Sequence, residues 1–184
     1  MRKLMLVLGL LSLPLMAQDR WEVFGGYQYS RLSNIFDSGV QANANGVDVS
    51  LTAHFLKHFG MTADGGAAYK TVQGVNTRLY TYTGGPVAYM NFGKFRPFIH
   101  VVAGGTLGTL SSTSGGVTGK ATLHGLCGYA GGGIDWRVKK RIAVRVIQAD
   151  WLYYHFEGYP GINLGDSFNE SKNLRFSAGV VYRF

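Results

Sequence analysis

One cysteine, four prolines and a charged fraction of 15% set the first limits on this 184-residue chain. Cys127 has no second cysteine to pair with, so the fold is not a disulfide scaffold. After residue 17 no stretch is apolar and long enough to cross a membrane as a helix, and no segment keeps helical spacing for long. That argues against helical membrane proteins and helical bundles. Eighteen Lys and Arg outnumber ten Asp and Glu, but they are scattered, with the densest cluster at Arg137–Arg141. A nucleic-acid partner needs a basic face, so none is expected, and a solvated turn accounts for the cluster. HExxH, CxxC, Walker-type and GxSxG motifs are all missing. The five histidines, at 54, 58, 100, 124 and 155, lack metal-ligand spacing, so neither a metal nor another cofactor is expected. "GYAGGG", residues 128–133, matches a dinucleotide glycine pattern but lies within a strand with no helix after it.

What the chain does have is glycine and aromatic rings: 27 Gly, 11 Tyr, 11 Phe and 3 Trp. With so little charge, that mixture favours sheet. The start, "MRKLMLVLGLLSLPLMAQDRW", runs from Arg2 and Lys3 through an apolar stretch to Ala17. This order predicts a signal peptide over residues 1–17 and an exported barrel domain over 18–184. The mature chain, about 165 residues, suits one domain.

Period-two alternation occurs eight times. The clearest case sets Val47, Val49, Leu51, Ala53 and Phe55 against Asp48, Ser50, Thr52 and His54. Similar segments cover 20–30, 60–70, 78–91, 97–108, 123–136, 142–154 and 173–184. The fourth is ambiguous, and Pro86 there predicts a bulge or a locally irregular ladder. The seventh needs one bulge near Val146–Ile147 to keep Arg145, Gln148 and Asp150 on one face. The eighth alternates up to Phe184.

Connections alternate as well. Short ones are expected near 56–59, 92–96 and 137–141, and long polar ones near 32–44, 71–77, 109–122 and 155–172. In an up-and-down sheet these fall at opposite ends, the pattern of a transmembrane barrel. Trp21, Phe55, Phe59, Phe92, Phe98, Trp136 and Phe184 gather at the short-turn end, and Tyr29, Tyr69, Tyr80, Tyr153 and Tyr154 toward the other. Two aromatic bands predict interfacial girdles. An open sheet edge in hydrocarbon leaves backbone groups unpaired, so the last strand must close on the first. The fold class expected is an all-β, eight-stranded antiparallel up-and-down transmembrane barrel. A soluble lipocalin-like barrel is the alternative, with its oily face inside.

The polar face then points into the lumen and carries Glu22, Asp48, Asp64, Asp135, Arg145, Asp150, Arg175 and Arg183. Eight strands enclose a space that side chains just fill, so these charges should pair and plug it. Asp150 and Arg175 lie at matching heights on adjacent strands and should form one such pair. A narrow pore for ions or small solutes is the sharper alternative.

The whole of 18–184 resembles the small eight-stranded outer-membrane barrels of the OmpA, OmpX and opacity-protein type, most specifically in its ending, Tyr182–Arg183–Phe184; "GGGIDWRV" is also family-like. The resemblance implies that Phe176, Val180, Tyr182 and Phe184 form a signal read by the outer-membrane assembly machinery. It also implies a bacterial outer-membrane location among lipids that include lipopolysaccharide. The likeness stops at the barrel, with no peptidoglycan-binding domain after it. The implied protein is monomeric or weakly associating, not an enzyme, with a structural or surface-interaction role carried by its outer loops. Some small barrels of this kind are lipid-modifying enzymes, and His155, Asp150 and Ser167 are the residues such a role would have to use.

Overall fold

The structure is a computed structural model and describes residues 21–32, 42–72, 75–114, 117–156 and 173–184. The predicted signal peptide lies outside them, as do most of the connections expected at 32–44 and 155–172. Eight strands follow in order: β1 (Trp21–Leu32), β2 (Ala42–His54), β3 (Phe59–Val72), β4 (Val75–Tyr89), β5 (Phe95–Ser114), β6 (Val117–Arg137), β7 (Ile142–Phe156) and β8 (Asn173–Arg183). Each pairs antiparallel with its chain neighbour, and β8 returns to β1, closing the barrel. The seam runs from Arg31↔Leu174 to Glu22↔Arg183, and Phe184 extends it by donating its N–H to the Trp21 carbonyl at 3.1 Å. A strand ends the fold because that strand supplies the partner β1 requires.

Alternation fixes what faces inward. On β8, Asn173, Arg175, Ser177, Val181 and Arg183 are buried, whereas Leu174, Phe176, Val180, Tyr182 and Phe184 are exposed. The same holds around the barrel: Val49, Leu51, Ile99, Val101, Leu126 and Trp151 point out, and carboxylates, guanidiniums and hydroxyls point in. This polarity is the reverse of a water-soluble barrel. On β6 the outward apolar positions run from Trp136 to Leu126 and then give way to His124 and Thr122. At roughly 3.3 Å per residue and a tilt near 40°, that stretch climbs about 25 Å, the apolar height of outer-membrane barrels.

The bulge falls at Val146–Ile147. Asp135 pairs with Arg145 but Ile134 with Ile147, and both bulge side chains point outward. The extra residue keeps Arg145, Gln148 and Asp150 in the lumen. Pro86, which lacks an N–H, leaves the β4–β5 ladder interrupted between Gly84 and Val87 without shifting its register. Phe92 and Phe95 bracket a two-residue turn, Gly93–Lys94, where Gly93 takes φ +60°, a conformation open to glycine.

In two of the expected long connections the described residues are strand instead. β3 and β4 continue to Val72 and Val75, and β5 and β6 to Ser114 and Val117. Thr-rich sequence has good strand propensity, and beyond the apolar band neither face needs an oily residue, so alternation fades while the ladder persists. β5 and β6 reach 20 and 21 residues, about twice what a bilayer crossing needs.

Candidate functional site

The lumen is the site that the fold builds, and its polar groups form two linked clusters. Near the short-turn end, Arg96 of β5 reaches Glu22 of β1 through both terminal nitrogens, Nη1 donating to Oε1 at 2.6 Å, and also donates to Asp135 Oδ2 at 2.9 Å. Arg145 Nε donates to Asp135 Oδ1 at 2.8 Å. Arg183 Nε and His54 Nε2 lie 2.5 and 3.1 Å from Glu22 Oε1.

Further up the barrel Arg175 occupies the centre. Its Nη2 lies 2.7 Å from Asp150 Oδ2 and its Nη1 3.1 Å from Asp64 Oδ1 and 3.9 Å from Asp48 Oδ1. His100 Nε2 meets Asp150 Oδ1 at 2.7 Å, and Tyr129 donates its hydroxyl to Asp64. Gln148 joins the clusters, accepting from Arg145 Nη1 at 2.7 Å and donating to Asp150 Oδ2 at 2.8 Å. A continuous chain of charge-assisted contacts thus runs from Glu22 to Asp64, fastening strands that share no ladder.

Rings support the guanidiniums. Arg175 lies 4.3 Å over Tyr129, and Arg145 is held between Phe24 and Phe98 at 4.3 and 4.2 Å. Stacking leaves the planar fork free to reach carboxylates at its edge. Small residues make the room: a Cβ on Gly66 would sit 2.9 Å from Gln28 Oε1 and 3.5 Å from Arg175 Nη1, and one on Gly131 2.1 Å from Asp150 Oδ1. The interior cavity left among these groups is about 20 Å³, room for a single water.

All eight charges expected in the lumen from the sequence are buried there. Glu22, Asp135, Arg145 and Arg183 fall in the first cluster, and Asp48, Asp64, Asp150 and Arg175 in the second. Asp150 and Arg175 are also ladder partners. Sequence reasoning missed Arg96, Tyr129 and Phe24, and the hydrogen-bonding roles of His100 and Gln148. Arg96 falls within the turn expected near 92–96, but β5 begins at Phe95 and Arg96 shares the inward phase of His100.

Two aromatic assignments need correction. Phe98 is 6% exposed and lies inside the barrel, not at the interface. Its neighbours Ile99 and Val101 claim the outward phase of β5, and its ring is one wall of the Arg145 slot. Tyr154 is likewise buried, one step out of phase with Tyr153. Trp21, Phe55, Trp136 and Tyr153 are exposed, as are Phe176, Val180, Tyr182 and Phe184 on β8.

Catalysis would need an acid–base pair beside open space. His100 and Asp150 are such a pair, but both are buried, and the cavity that His100 lines has room for about one water. Asp150 is already committed to Arg175, and the His155 side chain and Ser167 lie outside the described residues. Among the described residues no group of three His, Cys, Asp or Glu is placed to hold a metal ion.

No protein-family model matches the chain, and no curated protein sequence does. Solved structures do. Ail, the attachment invasion locus protein of Yersinia pestis, is 17% identical with a TM-score of 0.65, covering 91% of this chain and all of Ail. Ail in complex with the heparin analogue sucrose octasulfate gives a TM-score of 0.62 at 16% identity, covering 91% of this chain and all of that one. Neisserial surface protein A is 17% identical with a TM-score of 0.57, covering 89% of this chain and 97% of that one. The fold is that of the eight-stranded outer-membrane barrels.

Proposed function

We propose that the protein spans a bacterial outer membrane as a plugged barrel and works through the structure it raises above that membrane. The observation that carries this is the contrast between lumen and rim. The lumen is filled by an ion-pair network, whereas β5 and β6 continue well past the last outward leucines as a Ser-, Thr- and Gly-rich hairpin. Lipid, including lipopolysaccharide, faces the apolar band, and the short turns face the periplasm. A structural or surface-interaction role follows, with the raised hairpin and the connections at that end as its contact surface. Ail, whose name records attachment and invasion and which has been captured with a heparin analogue, is one precedent for a small barrel of this fold in such a role.

Single-channel recording on the detergent-purified protein tests the plug. Silence is expected, and steady conductance would favour the narrow pore instead. Replacing residues 109–122 with a two-residue turn tests the surface role: the barrel should still fold, while adhesion of expressing cells to immobilised sulfated glycan should fall to the level of cells lacking the protein. Unchanged adhesion by cells that display the intact barrel would count against that contact surface.

We extend the proposal to biogenesis. The outward row Phe176, Val180, Tyr182 and Phe184 serves the assembly machinery as a recognition strand. Phe184→Ala should lower the amount reaching the outer membrane several-fold while refolding into detergent proceeds normally, since the Phe184 ring is half-exposed and its ladder contact is through the backbone. Quantitative blotting of membrane fractions reads the result, and wild-type levels would dismiss the signal.

A further inference from the structure

The short-turn end opens into a vestibule of about 540 Å³, more than twenty times the interior cavity. Among the described residues that line it, the cationic side chains are Lys57, Arg96, Arg137, Lys140 and Arg183, and the one side-chain carboxylate is Glu22. Glu22 is already shared between Arg96 and Arg183. Among the described residues the buried atoms Arg183 Nη2 and Arg137 Nε have no hydrogen-bond partner, and the Arg137 guanidinium makes a 3.5 Å contact to Asn91 Oδ1. The three turns around this mouth, 55–58, 90–94 and 138–141, add Lys94, Lys139 and Arg141 and contain no Asp or Glu.

Such an excess of one sign at a concave opening concentrates anions from solution. A single carboxylate would satisfy one guanidinium fork and leave the remaining cations facing one another. A phosphate monoester carries about −1.5 to −2 charge with three strong acceptor oxygens, which suits converging Arg and Lys donors better. Phe55 and Leu56 add apolar wall on the β2–β3 turn, so the opening also accommodates an acyl or glycosyl substituent attached to the phosphate. We infer that the short-turn mouth of the barrel is a binding site for a phosphate group, held by Arg137, Arg183, Lys57 and Lys140. This site is separate from the surface role proposed above and stands or falls without it.

The test is nuclear magnetic resonance of 15N-labelled arginine side chains in protein folded in phosphate-free maltoside micelles. Inorganic phosphate titrated at constant ionic strength should shift the Arg137 and Arg183 Nε–Hε signals saturably, and acetate should not. A parallel arm uses nanodiscs of phosphatidylcholine with and without phosphatidic acid. Shifts with free phosphate identify a soluble ligand, and shifts only with phosphatidic acid identify a lipid headgroup; either supports the site. Silence in both arms, or equal shifts with acetate, overturns it. Arg137→Gln should weaken binding about tenfold, the loss expected for one charge-assisted hydrogen bond. Because Arg137 ends a strand, Lys57→Gln/Lys140→Gln, confined to exposed turn residues, provides the second variant. Unchanged affinity in that folded double variant also overturns the assignment.

Discussion

Replacing Arg175 with methionine should destabilise the detergent-folded barrel by about 3–5 kcal/mol, the range for stripping a buried charge of its partner. Arg175 is 1% exposed and is the cation that Asp48, Asp64 and Asp150 share. Without it three carboxylates converge, with neutral donors from Tyr129 and Gln148 and, among the described residues, His100 as the one basic side chain in contact with them. Met replaces only the aliphatic stem of the arginine and leaves the guanidinium position over Tyr129 empty, so the measured loss will combine charge with lost packing. The geometry also sets what a compensating change achieves. An isolated Asp150–Arg175 pair would let Asp150→Asn combined with Arg175→Gln restore most of the stability. Here Asp48 and Asp64 remain behind, so recovery should be partial, and adding Asp64→Asn should restore more. Urea unfolding of the single, double and triple variants measures each step. Additive losses for Asp150→Asn and Arg175→Gln would show the two residues to be energetically independent and would refute the network.

The barrel itself was legible because its solvent arrangement leaves an uninterrupted sequence trace. In a bilayer every outward residue of the band must be apolar, so alternation persists strand after strand. The bulge was legible for the same reason: Arg145, Gln148 and Asp150 share a face only if one residue between them is skipped. The lumen was less so. The Asp150–Arg175 contact lies between adjacent strands and follows from counting residues above the turns. Arg175 and Asp64 are 111 residues apart and meet across the barrel, a contact that depends on shear and side-chain length and leaves no local periodicity. Aromatic rings misled in a specific way. A ring at a strand end has two physical uses, girdle or guanidinium support, and Phe98 took the second because Arg145 needs flat walls.

Leu51→Arg should destabilise the bilayer-inserted protein by about 2–4 kcal/mol, and its neighbour should tolerate change almost silently. Leu51 projects outward from the short-turn half of β2, between Val23 on β1 and Ala63 on β3, about 10 Å along the barrel axis from Phe55, which marks the short-turn edge of the band. A guanidinium there has neither a carboxylate nor water within reach unless the bilayer thins or the side chain extends toward an interface. Thr52 points the other way, where its hydroxyl donates to Thr62 Oγ1 at 3.1 Å, and serine keeps that donor. Thr52→Ser should therefore lie within about 0.5 kcal/mol of the parent, as substitutions that keep their contacts do. The comparison separates the membrane barrel from a soluble one without any functional assay. In water Leu51→Arg would place a charge on an exposed face, and the change would be neutral or improve solubility. Equilibrium unfolding from lipid vesicles measures the difference, and the behaviour of the unmodified chain supplies a second check. Dispersal as a monomer in plain buffer, together with a neutral Leu51→Arg, would mean that the apolar band is covered by something other than lipid.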